Sequence, residues 1–268
     1  MRGADDLPMH VSTAIPDAAG PRLAGESTTR MGSTALWMHL LVPLACLGLL
    51  AAWAGPLGGD RWLADRIYAW EGHAWALREA WVADTAIHVY GRRLSAAAWT
   101  VLLCAWVQAS LFRPRWPLRR PVAYLLLAVL ASCVAVSLLK SWSNMDCPWD
   151  LVRYGGQREF FGLLEARPPG MERGRCFPAG HASAGYAWVA LYFFFLAAAP
   201  RWRWLGLSTG LALGLVFGIS QQLRGAHFLS HDLYTAAICW LIALGLYVAM
   251  LHSAQARGRT PDGSGASP

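Results

Sequence analysis

Apolar residues in this chain gather into six runs long enough to cross about 30 Å of hydrocarbon, and the segments between them collect arginine, proline and glycine. The runs lie near residues 34–55, 94–112, 122–140, 182–199, 205–223 and 232–252, and each predicts a membrane-spanning helix. Segment 56–93 is patterned rather than loose. Trp62, Leu63, Arg66, Ile67 and Trp70 recur at helical spacing, and Trp81, Thr85, Ala86, Val89 and Tyr90 do so again. This predicts one or two short helices lying along a membrane surface, with tryptophan in the headgroup zone. The expected fold is all-α: a polytopic bundle of six transmembrane helices with short interfacial helices in its first outer loop. Residues 1–33 and 253–268 are polar and bear Pro and Gly, so disordered cytoplasmic tails are expected around a membrane domain at 34–252. No signal peptide is expected, because the start of the chain lacks an apolar core of the right kind.

Composition agrees. Hydrophobic residues are 56% of the 268 and charged ones 15%, against roughly 45–50% and about 25% in soluble domains. Fifteen tryptophans suit a protein with two water–lipid interfaces to line. The net charge of +7 comes without a nucleic-acid-binding motif and is better explained by topology. The link Arg113-Pro-Arg-Trp-Pro-Leu-Arg-Arg-Pro121 and the link Arg201-Trp-Arg-Trp204 are dense in positive charge and free of acid, so both are expected in the cytoplasm. Both termini then lie inside, and loops 56–93, 141–181 and 224–231 face out. The Arg- and Ala-rich, Lys-poor composition is typical of a GC-rich bacterial genome and predicts a bacterial inner membrane.

The chain holds one lysine, Lys140, against 22 arginines. An ammonium is a compact charge that suits a single phosphate oxygen, although snorkelling to headgroups is the alternative for a lysine at a span end. Along the outer loops the sequence then offers Asp146-Cys-Pro-Trp-Asp150, Phe177-Pro-Ala-Gly-His181-Ala-Ser183 and Arg224-Gly-Ala-His227-Phe-Leu-Ser-His231-Asp232. The span count places all of these on one side of the membrane without having used them. A lysine, an arginine and three histidines with carboxylates nearby make a phosphate site at a water-filled vestibule. The alternative readings are an interfacial histidine at 227 or 231, a loop salt bridge between Asp150 and Arg153, and an anchoring role for Trp149.

These segments resemble the signature of the type 2 phosphatidic acid phosphatase superfamily: Lys, six residues, Arg-Pro; then Pro-Ser-Gly-His; then Ser-Arg, five residues, His, three residues, Asp. The resemblance covers roughly residues 90–250, and each part is altered. Lys140 is followed after six residues by Cys147-Pro148, with cysteine for arginine. Pro178-Ala-Gly-His181 has Ala179 for serine. Ser220-Gln221 stands for Ser-Arg, His227 falls on the histidine, and His231 occupies the aspartate position with Asp232 next to it. The resemblance implies metal-free hydrolysis of phosphate monoesters and diphosphates through a phosphohistidine, with no cofactor.

Phosphoryl transfer spreads charge over three equatorial oxygens, which fixed cations and N–H donors stabilise. Lys140 and Arg224 are the expected cations, and the Gly180 N–H at a helix start is an expected donor. Ser183 is a candidate for the hydroxyl missing at Ala179. His227 is the expected nucleophile, with His181 as general acid and then base for water. Asp232 is favoured over His231 as the group that orients His227, because a carboxylate stabilises an imidazolium, and a helix capped by Ser230 would make it available. The rival assignment makes His231 the nucleophile. Cys147 and Cys176 share one outer loop, where in an oxidising compartment the expectation is a disulfide worth about 3 kcal/mol, a covalent staple where the signature has an arginine; two unpaired loop cysteines are the alternative. The expected substrate is a lipid phosphate arriving laterally: polyprenyl diphosphate, phosphatidic acid, phosphatidylglycerol phosphate or lipid A phosphates. Membrane lipids are the expected partners, and no nucleic acid or obligate protein partner is expected. A lipid phosphotransferase using the same residues, and a non-catalytic lipid-binding or transport relative, are the alternatives.

Overall fold

The computed structural model describes residues 31–253 apart from 114 and 164, so nearly all of both expected tails lies outside the described residues. Among the described residues seven helices longer than a turn make up the fold: α1 (Ser33–Ala54), α2 (Gly59–Trp70), α3 (Val82–Phe112), α4 (Arg119–Trp142), α5 (Gly180–Ala198), α6 (Pro200–Leu223) and α7 (Leu229–His252). All but α2 are long and apolar enough to cross a membrane, which makes this a multi-pass membrane protein. Among the described residues no strand forms beyond one isolated bridge, Leu151 to Arg158.

Helices α4, α5 and α7 form the centre, where Tyr124, Ala128, Ala182, Tyr186, Phe193, Cys239, Ala243 and Tyr247 pack together. Lipid is as apolar as a leucine side chain, so membrane helices associate through close approach and interhelical hydrogen bonds rather than the hydrophobic effect. Both devices occur. Gly206, Gly210 and Gly214 form a stripe on α6 against α5, and a Cβ at Gly214 would lie 2.1 Å from the Tyr186 ring. The Tyr124 hydroxyl donates to the Ala243 carbonyl at 3.0 Å, tying α4 to α7.

Helix α2 occupies the first stretch where short interfacial helices were expected. The second stretch differs: Val82–Gly91 is π-helical and runs straight into Arg92–Phe112 as one helix. No proline lies between Trp81 and Leu94 to force a break, so the chain stays helical and only its turns change from π to α at Arg92. The 21 residues from Arg92 to Phe112 already cover about 30 Å at 1.5 Å per residue. The ten before them extend the helix past the length that a span needs. Arg92–Phe112 buries no residue in the protein, and Leu94, Val101, Leu111 and Phe112 are exposed to lipid.

Candidate active site at one end of the bundle

Five helix ends meet at one end of the bundle. α4 finishes there near Lys140, α6 finishes at Leu223, α5 and α7 start there, and the π-helical part of α3 stands beside them. The Lys140 side chain crosses from α4 to α5: a Cβ on Gly180 would lie 3.2 Å from its Cδ and 3.5 Å from its Nζ. Glycine at 180 permits that approach, and the amine lies over a first helical turn whose N–H groups lack helical acceptors. Among the described residues Lys140 has no ion-pair partner. Ser183 is buried and donates its hydroxyl proton to the Gly180 carbonyl at 2.6 Å.

His181, one residue into α5, lies against His88 of α3 with ring centroids 3.8 Å apart. His88 Nδ1 is 2.6 Å from a terminal nitrogen of Arg224. A guanidinium only donates, so that Nδ1 holds a lone pair and His88 is neutral with its proton on Nε2. Arg224 donates further to the Arg78 carbonyl at 2.7 Å and Gln221 Oε1 at 3.4 Å, and it pairs with Asp84 at 2.6 Å. The expectation of a free phosphate-binding guanidinium at 224 is thus corrected. Its donors are engaged by groups of α3, α6 and the segment before α3, and it reaches the site through His88.

His227 and His231 face each other through their Nδ1 atoms at 3.3 Å, both buried. One Nδ1 donates to the other, since a neutral imidazole has one donor and one acceptor. Burial holds the His227 pKa well below its usual value, and a positive charge on His231, Lys140 or His181 would push it the same way. The preference for Asp232 as its partner is also corrected. α7 begins at Leu229, not Ser230, and about 100° of rotation per residue turns Asp232 away from His231. The Asp232 carboxylate accepts from Gln222 and packs on Gly218 of α6. Ser230 is not the cap; its N–H and hydroxyl donate to Asp60 of α2 at 2.8 and 2.5 Å.

The loop after α4 is clamped to the segment that leads into α5. Gly174 N–H donates to Asn144 Oδ1 at 3.0 Å, Cys176 N–H to the Met145 carbonyl at 3.0 Å, and Cys147 is bonded to Cys176 with Cα atoms 5.2 Å apart. The Cys176 backbone lies beside the imidazole pair. Both sulfurs of the potential metal-ligand group Cys147, Asp150 and Cys176 are spent in this disulfide. Arg153 pairs with Asp65 of α2 at 2.6 Å, not with Asp150.

A lateral cavity of about 450 Å³ opens between α3 and α4. One wall is the α3 stripe Arg92, Ser95, Ala96, Trp99 and Thr100, and the other is the α4 stripe from Val129 through Cys133 and Ser137 to Lys140; Gly180, His181 and Ser183 close its polar end. His227 and His231 lie behind that end rather than in the lining, 4% and 0% exposed. Sequence reasoning missed Asp84, His88 and Arg92, which it left in the interfacial segment. Their signal was present: three polar residues at i, i+4 and i+8 mark one face of an otherwise apolar helix.

The fold and site define a class: a multi-pass helical membrane protein with a cavity lined by Lys140, Arg92 and His181 at one end of its bundle. The PAP2 superfamily profile matches residues 121–254, half of the chain, and the chain belongs to that superfamily. That membership makes it a phosphatase at the level of the family. Among solved structures, the crystal structure of a transmembrane PAP2-type phosphatidylglycerolphosphate phosphatase from Bacillus subtilis is similar at 14% identity and TM-score 0.48, over 84% of this chain and 99% of that one. No curated protein matches.

Proposed function

We propose that this protein removes phosphate from a lipid phosphate or diphosphate without a metal, through a phosphohistidine on His227. The observation that carries the reading is the amphipathic cavity, whose polar end holds Lys140 and His181 and whose walls become apolar away from them. Eleven residues of α4 separate Lys140 from Val129, about 16 Å of groove for a hydrocarbon tail. A soluble phosphate ester would have no use for such walls. The phosphate would sit between the Lys140 amine and the free N–H groups of α5. His227 donates from Nδ1 to His231, which leaves its Nε2 lone pair to attack phosphorus; His181 protonates the leaving oxygen and then deprotonates the water that cleaves the phosphohistidine. The His227 imidazole must turn out from behind His181 to reach phosphorus, so substrate binding opens the polar end of the cavity. The proposed setting is a bacterial inner membrane, with both termini in the cytoplasm and the site on the periplasmic face.

The test is phosphate release by protein purified in detergent, using polyprenyl diphosphate, phosphatidic acid, phosphatidylglycerol phosphate and a lipid A phosphate. His227→Ala should abolish release and trapping of acid-labile phosphoenzyme, whereas His181→Ala should slow release and let phosphoenzyme persist. Release that survives His227→Ala would overturn the assignment. The changes at Cys147, Ala179 and Gln221 favour a second reading, a non-catalytic lipid-binding relative, which the absence of release from every substrate would select.

A further inference from the structure

Two basic side chains line the cavity, Lys140 from α4 and Arg92 from α3, and no acidic residue lines it with them. Among the described residues neither forms an ion pair. Arg92 is exposed at the mouth of the cavity and Lys140 is half-buried farther in, so two like charges face one opening with no acid between them, an arrangement that an external anion lying between them stabilises. The other basic groups nearby are already committed. Arg224 is held by Asp84, His88, Gln221 and the Arg78 carbonyl, and His88 is kept neutral by Arg224. Arg93, the next residue, lies over the Tyr90 ring instead of lining the cavity.

We propose that Arg92 is the second cation for the phosphoryl group, binding it opposite Lys140. The inference deepens the lipid phosphatase reading and rests on it for the identity of the anion. A phosphate monoester carries about −1.5 to −2 charges at neutral pH, more than one ammonium neutralises. The guanidinium fork presents parallel N–H donors to two phosphate oxygens, which fixes orientation as well as charge. Depth agrees. Arg92 stands about 30 Å of helix from Phe112, and Lys140 stands about 32 Å from Arg119, so both cations fall at the same level of the bundle. Arg92 also begins the α3 stripe that continues through Ser95, Ala96 and Trp99, which places the phosphate at the head of the groove and the tail along it.

The experiment uses the full chain in detergent, with Arg92→Gln as the variant and Arg93→Gln as the control for a purely lipid-anchoring arginine. Arg92→Gln should lose about 100-fold or more in kcat/KM, the scale of removing a donor to a developing oxyanion. Arg93→Gln should stay close to wild type. Guanidinium ion added to Arg92→Ala should restore part of the lost rate, which a structural role would not allow. A readout independent of turnover is stabilisation by orthovanadate in a thermal-shift titration: Arg92→Gln should weaken its apparent affinity about tenfold or more, by loss of one charged contact. Equal behaviour of the two variants in rate and in orthovanadate affinity would overturn the proposal. If the wild type releases no phosphate from any lipid, the hydrolase reading fails. The orthovanadate titration then still decides whether Arg92 binds the anion.

Discussion

Replacing His231 tests the imidazole pair more sharply than removing the nucleophile does. The Nδ1–Nδ1 separation of 3.3 Å is long for a neutral hydrogen bond and contributes about 1 kcal/mol at rest. In the proposed mechanism the His227 ring would become cationic as it attacks phosphorus, and a hydrogen bond from a charged donor contributes about 1.5–3 kcal/mol. His231→Leu removes the acceptor at the moment it matters, so kcat should fall about 10- to 150-fold with little change in KM. His231→Asp places a carboxylate where the signature has one. An ionised acceptor roughly doubles such a bond, and kcat should rise above wild type by about 5- to 30-fold. The gain comes at the expense of stability, because the position is fully buried and edged by the rings of Phe177 and Phe228 at 5.4 and 5.6 Å. The assay is phosphate release at saturating phosphatidic acid, with a thermal melt of each variant to separate catalysis from unfolding. Asp232→Asn serves as the comparison and should leave kcat nearly unchanged, since its carboxylate faces Gln222. Wild-type activity in His231→Leu would refute the pairing, and a His231→Asp variant no faster than His231→Leu would refute the claim that acceptor charge limits the step.

Three further outcomes follow from the same contacts. The Cys147–Cys176 bond closes a 29-residue separation and should contribute about 3–4 kcal/mol; Cys176→Ser or reduction should lower both melting temperature and activity, because the Cys176 backbone lies beside the imidazole pair, and unreduced protein with both thiols free by mass spectrometry would remove the basis for this. Asp60→Ala should destabilise the protein by about 1–3 kcal/mol through loss of the acceptor for Ser230, whereas Asp60→Asn should recover most of it; burial raises the Asp60 pKa, so an equal loss in both variants would show that charge, not acceptance, is the contribution. His227 has a depressed pKa in the fold, so its contribution is present above about pH 6.5 and is lost as pH falls, at about 1.4 kcal/mol per unit for this one group; His227→Gln should flatten that slope in melts between pH 5 and 7, and an unchanged slope would assign it to other residues.

The spans were legible because each carries a run of about twenty apolar residues, a pattern that soluble helices do not need. Lys140, Gly180, His181, His227 and His231 were legible for a different reason: their spacing puts them at span ends on one side, and the observed helices bring them to one end of the bundle. What escaped the sequence turns on single-residue offsets and distant partners. Whether His231 or Asp232 faces His227 depends on α7 starting at Leu229, and the group that satisfies its first turn is Asp60, 170 positions away. Arg224 has the reach to bind phosphate, but its competitors Asp84 and His88 come from a segment whose period fits a surface helix as well as the end of a span.

The altered signature positions connect these points. Two of the four changes, at Cys147 and Gln221, remove arginines that the signature would supply, and the disulfide at Cys147 ties two parts of one loop together without restoring charge. A phosphoryl group still needs its charge balanced, and within residues 121–254 the lining of the cavity provides Lys140 alone. The second cation in the lining is Arg92, on a helix that lies before the matched region. Reading the signature segments in isolation therefore finds a site one cation short, while the fold closes the deficit from α3. Exchanging the two halves of that arrangement, with Cys147→Arg in an Arg92→Gln background, should fail to restore activity, because position 147 is buried and outside the cavity lining, and the change also removes the disulfide to Cys176. Full rescue by that double variant would show that the loop, not α3, is the natural place for the charge.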